Sequence, residues 1–170
     1  TASLKTLLPE AAFTATGYAK IFGCTGIALA FYSTAKKENK KKVLGLLIPV
    51  TLTAIFCGVT EPIEFTFLFI SPMLFLVHAI LAGIIAATMY LFGIVGVFAG
   101  GTIEMASLNW IPLMGNHWQQ YLLQLVIGLC FVGIWFVVFR FLILKFNFKT
   151  PGREDASEDI KLRSKSEYRN

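Results

Sequence analysis

The sequence predicts an all-α membrane protein, with transmembrane helices plus a re-entrant hairpin whose tip is Gly58-Val59-Thr60-Glu61-Pro62 (GVTEP). Three observations lead there. Hydrophobic residues make up 56% of the chain and charged ones 15%, with a mean hydropathy of +0.69, which is too apolar for an ordinary water-soluble domain. Most Lys and Arg fall in Lys36–Lys42 or after residue 144, so the net charge of +5 marks topology rather than a nucleic-acid surface. Finally, two carboxylates, Glu61 and Glu64, stand three residues apart inside an oily run, the first directly before a proline.

Along the chain, residues 1–16 are amphipathic and read as a loop or a short interfacial segment. Residues 17–35 are apolar enough to span a bilayer, but three glycines and Lys20 make them a poor lipid-facing helix. The block 43–73 contains the two acids, and 74–98 and 119–144 are strong spanning candidates. Between these last two, 99–118 reads as a Gly-rich loop, with Trp110, Trp118 and Tyr121 as an interfacial aromatic belt. The tail from Lys145 is polar and reads as a linker. With Thr1-Ala2-Ser3 at its start, no Met and no cleavable leader, the chain reads as part of a longer polypeptide.

Basic segments orient membrane helices. The lysines of Lys36–Lys42 and the basic tail after Arg140 are therefore expected in the cytoplasm. Segment 119–144 then ends inside, 74–98 runs outward, and 43–73 must leave the cytoplasm and return to it. The returning arm, Pro62–Met73, reaches only about 18 Å as helix, against a hydrocarbon core of about 30 Å. A hairpin that turns within the membrane meets this constraint. Gly58 permits the turn, Thr60 suits the N-cap and Pro62 the first helical turn. Such a tip is tolerated only where it is packed in protein or lines a wet cavity.

The acids then acquire a reason. A carboxylate at the bilayer centre costs about 2.5–3.5 kcal/mol even on mild insertion scales, and the start of a helix offers partial positive charge to hold one. A fixed carboxylate beside a hydroxyl and free backbone groups suits bidentate hydrogen bonding to neighbouring sugar hydroxyls. Glu61 is expected to contact ligand and Glu64 either to join it or to support it; internal pairing, for instance with Lys20, is the structural alternative. The cysteines Cys24, Cys57 and Cys130 lie in apolar segments without metal or disulfide spacing and read as packing residues. No metal, cofactor or catalytic constellation is expected: phosphate-cradling loops, zinc spacings and Ser/His/Asp arrangements are absent from the sequence. His78 reads as hydrogen-bonded inside a helix or as a substrate contact, His117 as a loop or cavity residue, and Glu104 as a further candidate from the outer side.

Gly58-Val59-Thr60-Glu61-Pro62-Ile63-Glu64-Phe65 resembles the G-[IV]-T-E-P-[IL]-E-F signature of the membrane-embedded IIC component of phosphoenolpyruvate-dependent sugar phosphotransferase systems, glucose superfamily. Upstream, Ala19-Lys20-Ile21-Phe22-Gly23, Gly26–Ala30 and Glu38-Asn39 resemble the same family. Downstream, Asn109–Pro112 and Leu144–Glu154, with Lys149-Thr150-Pro151-Gly152-Arg153, are similar to its maltose and α-glucoside branch. The resemblance implies the C-terminal part of a IIC sugar-transport domain over 1–150 and, over 151–170, a cytoplasmic linker toward a IIB domain. It also implies a bacterial inner-membrane location, a homodimer formed largely through a missing N-terminal half, and phosphorylation of the sugar by a IIB phosphocysteine fed by upstream phosphocarriers. Carried onto this sequence, the sugar-binding set would be Glu61 with Thr60, Pro62 and Glu64, and Lys20, Phe22, Gly23, His78 and His117 around it. The phosphorylated cysteine has no counterpart here, so the chain alone would not be catalytic. A reading from another class remains open at this point: an ion-coupled secondary transporter whose hairpin acids bind protons or cations.

Overall fold

A computed structural model describes residues 17–153, and every regular element among them is helical. Six α-helices follow in order: α1 (Cys24–Thr34), α2 (Lys40–Cys57), α3 (Glu61–Leu68), α4 (Pro72–Leu91), α5 (Gly101–Met105) and α6 (Ile111–Phe146). A π-helical turn, Ala19–Gly23, leads into α1, and another, Ala106–Trp110, joins α5 to α6. The readings of residues 1–16 and of the tail beyond Arg153 lie outside the described residues.

The π turn and α1 form the innermost element: Tyr18, Cys24, Ile27, Ala30 and Phe31 are fully buried. Small residues make this possible. A Cβ on Gly26 would stand 2.6 Å from the Trp135 Cβ and 2.7 Å from the Val132 carbonyl oxygen, and one on Gly128 would collide with the Phe22 ring. Removing side chains at these positions brings α1 and α6 together, as close helix packing in membranes requires. Matching Phe22 with Gly128 and Gly26 with Trp135, the two helices run parallel and finish at the same end of the bundle.

Outward faces are apolar. Leu44, Ile48 and Leu52 on α2, Leu76, Ile80 and Ile84 on α4, and Leu122, Leu129 and Val137 on α6 are all exposed. A surface of this kind is suited to hydrocarbon or to further protein, not to water. Two stretches are long and apolar enough to cross a bilayer, α4 with 20 residues and the run Gly101–Phe146 with 46. At 1.5 Å per residue, α4 alone reaches about 30 Å, a full hydrocarbon core.

Helices α2 and α3 make a helical hairpin, and α3 and α4 make a second. In the latter, Glu64 faces His78 and Phe67 faces Phe75, so the two helices are antiparallel. The arm expected to run from Pro62 to Met73 is thus broken at Phe69–Ser71. Pro72 cannot continue a helix there, and the Ser71 hydroxyl caps α4 by accepting from the Leu74 N–H at 3.3 Å.

Three sequence expectations change. Residues 99–118 are mainly helical, because the glycines at 100 and 101 serve a single crossing and the residues after them resume a helix. The expected span 74–98 ends at Leu91, where Gly93 turns at φ 76° and folds Ile94, Val95 and Phe98 into the core. Of the three cysteines, Cys24 is buried, whereas Cys57 and Cys130 are exposed on outward faces.

At the shared end of α1 and α6, the segment after α6 closes over the start of α2. Arg153 donates from Nε to the Phe148 carbonyl (3.1 Å), from Nη1 to the Thr34 carbonyl (3.2 Å) and from Nη2 to Asn147 Oδ1 (2.7 Å). The Gly152 carbonyl accepts from the Lys36 N–H (3.1 Å) and from Asn39 Nδ2 (3.2 Å). Gly152 has φ 85° and is buried against Val43 and Ala35, so Thr150-Pro151-Gly152-Arg153 is part of the folded body.

Candidate functional site

The tip is built from backbone. Helix α2 stops at Cys57 because Gly58 adopts φ 71°, a left-handed conformation that side-chain-bearing residues avoid. A Cβ on Gly58 would collide with the Ala99 carbonyl oxygen and stand 2.8 Å from the Gly101 nitrogen. Gly101, at φ 75°, answers in kind: a Cβ there would lie 2.6 Å from the Gly58 nitrogen and 2.7 Å from the Ile55 carbonyl oxygen. Two glycine backbones therefore cross in contact. Around the crossing, the Thr102 hydroxyl donates to the Ile55 carbonyl at 2.8 Å and Lys20 Nζ donates to the Ala99 carbonyl at 2.9 Å. The Glu104 carboxylate accepts from the Gly100 N–H, closing the turn from its other side.

From this base α3 begins. Thr60 occupies the N-cap position, as the sequence predicts, but its side chain makes no cap bond; its carbonyl receives the Ile63 and Glu64 N–H groups at 3.1 and 2.9 Å. Glu61 and Pro62 are exposed, and Glu61 makes no hydrogen bond or ion pair among the described residues. Glu64, one turn on, is largely covered, with a relative side-chain exposure of 24%, and its Oε1 lies 3.7 Å from His78 Nε2. The two acids are thus unlike: one is open, the other engaged.

His78 is buried among the rings of Phe67, Phe75 and Trp135. The Trp135 indole Nε1–H donates to His78 Nδ1 at 3.1 Å. Gly23 makes room for that indole, since a Cβ there would stand 2.9 Å from the ring. Gly23 and His78 therefore meet at Trp135, with Glu64 behind His78, while Phe22 packs two turns away on Gly128 and Lys20 reaches the tip crossing through the Ala99 carbonyl. His117 sits apart, at the one non-helical residue inside α6 (φ −131°, ψ 21°), where the helix kinks.

Sequence reasoning missed a further set of buried polar groups. Gln124, fully buried, accepts from the Trp110 indole at 3.1 Å and donates to the Met105 sulfur at 3.3 Å. Tyr18 donates to the Ile94 carbonyl at 3.4 Å, and Asn109 pairs with both backbone groups of Val97, at 2.6 and 3.3 Å. Trp110 and Tyr121 belong to this interior rather than to an interfacial belt; Tyr121 is 2% exposed, while Trp118 is exposed. Gln124 inside an apolar run was the available signal, because an amide is kept there only with partners. A separate apolar groove of about 400 Å³ between α1 and α2, lined by Ala28, Leu29, Leu47 and Ile48 among others, shares no residue with the tip.

Helices throughout the described residues, lipid-suited outer faces and an open carboxylate on a backbone-built turn define a membrane-embedded component. Residues 5–83 match the family model "Phosphotransferase system, EIIC". Among curated proteins, the chain is 63% identical over 167 residues to the "PTS system maltose-specific EIICB component" of Bacillus subtilis strain 168, covering 98% of this chain and 32% of that protein. To the "PTS system alpha-glucoside-specific EIICB component" of Leptotrichia buccalis it is 58% identical over 169 residues, covering 99% of this chain and 32% of that protein. To the "PTS system glucose-specific EIICBA component" of Staphylococcus carnosus it is 47% identical over 137 residues, covering 79% of this chain and 20% of that protein. The chain belongs to the EIIC family of the phosphotransferase system. It spans about a third of the length of the maltose and α-glucoside relatives.

Proposed function

We propose that this chain is the C-terminal part of a sugar-translocating IIC domain, in which Glu61 binds hydroxyls of maltose or another α-glucoside while a IIB domain phosphorylates the sugar. The observation that carries the reading is the contrast at the tip: Glu61 is exposed and without a partner among the described residues, whereas Glu64 faces His78. An open carboxylate held on a fixed turn presents two acceptor oxygens to a vicinal diol, and charge-assisted bonds of this kind are the strong ones. Thr60, Pro62 and Lys20 fix the turn; Glu64 and His78 stand behind it; Phe22, Gly23 and His117 would shape its surroundings.

On this reading the α2–α3 hairpin is re-entrant, with its tip inside the membrane. Helix α3, at eight residues, reaches about 12 Å, well short of a hydrocarbon core. The Lys36–Lys42 turn and the closing segment face the cytoplasm of a bacterial inner membrane, following the basic residues. The linker after Arg153 leads to a IIB domain, as the EIICB names of the relatives suggest, and that domain takes its phosphoryl group from upstream carriers. The N-terminal remainder of the IIC domain supplies the dimer contacts. The ion-coupled alternative has no support among the relatives.

The test is equilibrium binding of labelled maltose to the full transporter in detergent, comparing the parent with Glu61→Gln. Binding is expected to fall by one to two orders of magnitude, the loss of a charge-assisted bond, with an unchanged melting temperature. Equal affinity in the two proteins would remove Glu61 from the sugar site.

A further inference from the structure

Trp135 stands outside every motif, 57 residues from His78, yet it begins a chain of contacts that reaches α3 through that histidine. An indole N–H can only donate. Its bond to His78 Nδ1 makes that nitrogen an acceptor, so in the neutral ring the proton sits on Nε2, the nitrogen that faces Glu64 at 3.7 Å. The indole itself is fully buried and has no freedom to leave: Gly23 and Gly26 of the α1 stretch close over its ring and Cβ. Rings of Phe67 and Phe75 hold the imidazole in its orientation. Four helical elements, α1, α6, α4 and α3, are thereby linked in series, and the last of them carries Glu61 one turn from Glu64.

We propose that Trp135, acting through the Nε2–H tautomer of His78, is a positioning residue for the sugar site, and that Glu64 is the acceptor at the end of this chain instead of a ligand for sugar. The inference rests on the reading of Glu61 as the sugar contact. Helix α3 spans little more than two turns: Ile63 and Phe67 seat its apolar side in the core, Phe65 leaves the opposite side open, and Glu64 is the polar group it turns toward a neighbouring helix. An N–H of fixed position opposite Glu64 supplies that reference, and a ring with the proton on Nδ1 would present a lone pair to the carboxylate and repel it. With Ile63 and Phe67 holding the apolar side of α3, Trp135 thus sets its polar side and, through it, the direction of Glu61.

The experiment uses the full transporter in detergent or nanodiscs, with labelled maltose as the probe. Trp135→Phe keeps the ring in its seat but removes the donor; it is expected to weaken maltose binding on the order of tenfold, the size of coupling seen between contacting groups. Nitrogen NMR of the imidazole should report a single Nε2–H tautomer for His78 in the parent and a mixture in this variant. Should Trp135→Phe fail to fold, the His78 variants carry the test. His78→Gln, which can accept from the indole and donate to Glu64, should retain near-parental affinity, whereas His78→Leu should weaken binding about as much as Trp135→Phe. Combining His78→Leu with Glu64→Gln should cost no more than the larger single effect. An unchanged tautomer in Trp135→Phe, equal damage from His78→Gln and His78→Leu, or additive effects in the double variant would each overturn the proposal. Glu61→Gln separates this from the parent reading: if it alone abolishes binding, only the positioning chain is lost, and if it binds normally, the sugar site itself is misplaced.

Discussion

The tip and the closing segment at the shared end of α1 and α6 are built alike and behave as opposites. Each turns on a glycine in the left-handed region, Gly58 at φ 71° and Gly152 at φ 85°, and each brings distant parts of the chain together. At the closing segment the guanidinium of Arg153 donates three hydrogen bonds and the carbonyl of Gly152 accepts two. At the tip, Glu61 has been left open beside Lys20 and Thr102, both bonded to backbone carbonyls. A signature whose charged group is spent on internal bonds describes how a protein holds together, and one that keeps its charged group in reserve describes what it holds.

The contrast can be broken at several points. The largest effect is expected from Gly58→Ala, because the obstacle is the backbone of Ala99 and Gly101, which cannot swing aside, and the left-handed φ adds strain. A loss of about 3 kcal/mol or more in thermal unfolding of the detergent-solubilised transporter, together with loss of maltose binding, is expected. Gly152→Ala carries the same φ strain and meets the Val43 side chain, which has to shift, and the Ala35 Cβ, which has no rotamer to turn. It should cost about 2–3 kcal/mol and leave maltose affinity within a factor of two. Lys20→Met removes the bond to the Ala99 carbonyl; the expected loss is about 1–2 kcal/mol, with maltose binding weakened because that carbonyl belongs to the crossing. Thr102→Val, which deletes one neutral hydrogen bond at nearly constant volume, should cost about 1 kcal/mol and sharpen the comparison by separating the crossing from its hydroxyl support. A closing-segment variant that lowered maltose affinity as strongly as Gly58→Ala would dissolve the distinction between the two regions.

Much of the tip was legible because its signals are local. Gly58, Thr60 and Pro62 mark a helix stop and start within five residues, and the cost of two acids in an apolar run points to a task. The break before α4 was equally local, a Ser-Pro pair at 71–72, but the apolar run across it concealed the boundary. Residues 99–118 misled for the opposite reason: three glycine and asparagine punctuation points outweighed a helical continuation that only packing against α6 and α2 stabilises. The chain from Trp135 through His78 to Glu64 could not be read at all. Its members lie on three helices, and nothing in an indole within an apolar run distinguishes a packing residue from one that directs a proton.

The crossing of Gly58 and Gly101 has a mechanical meaning. Side chains at a contact have rotamers and give way; two bare backbones have none, so there is no compliance between them. A shift of Gly101 would press on Gly58 with no side chain between them to absorb it, and only Val59 and Thr60 separate that contact from the start of α3 and the carboxylate of Glu61.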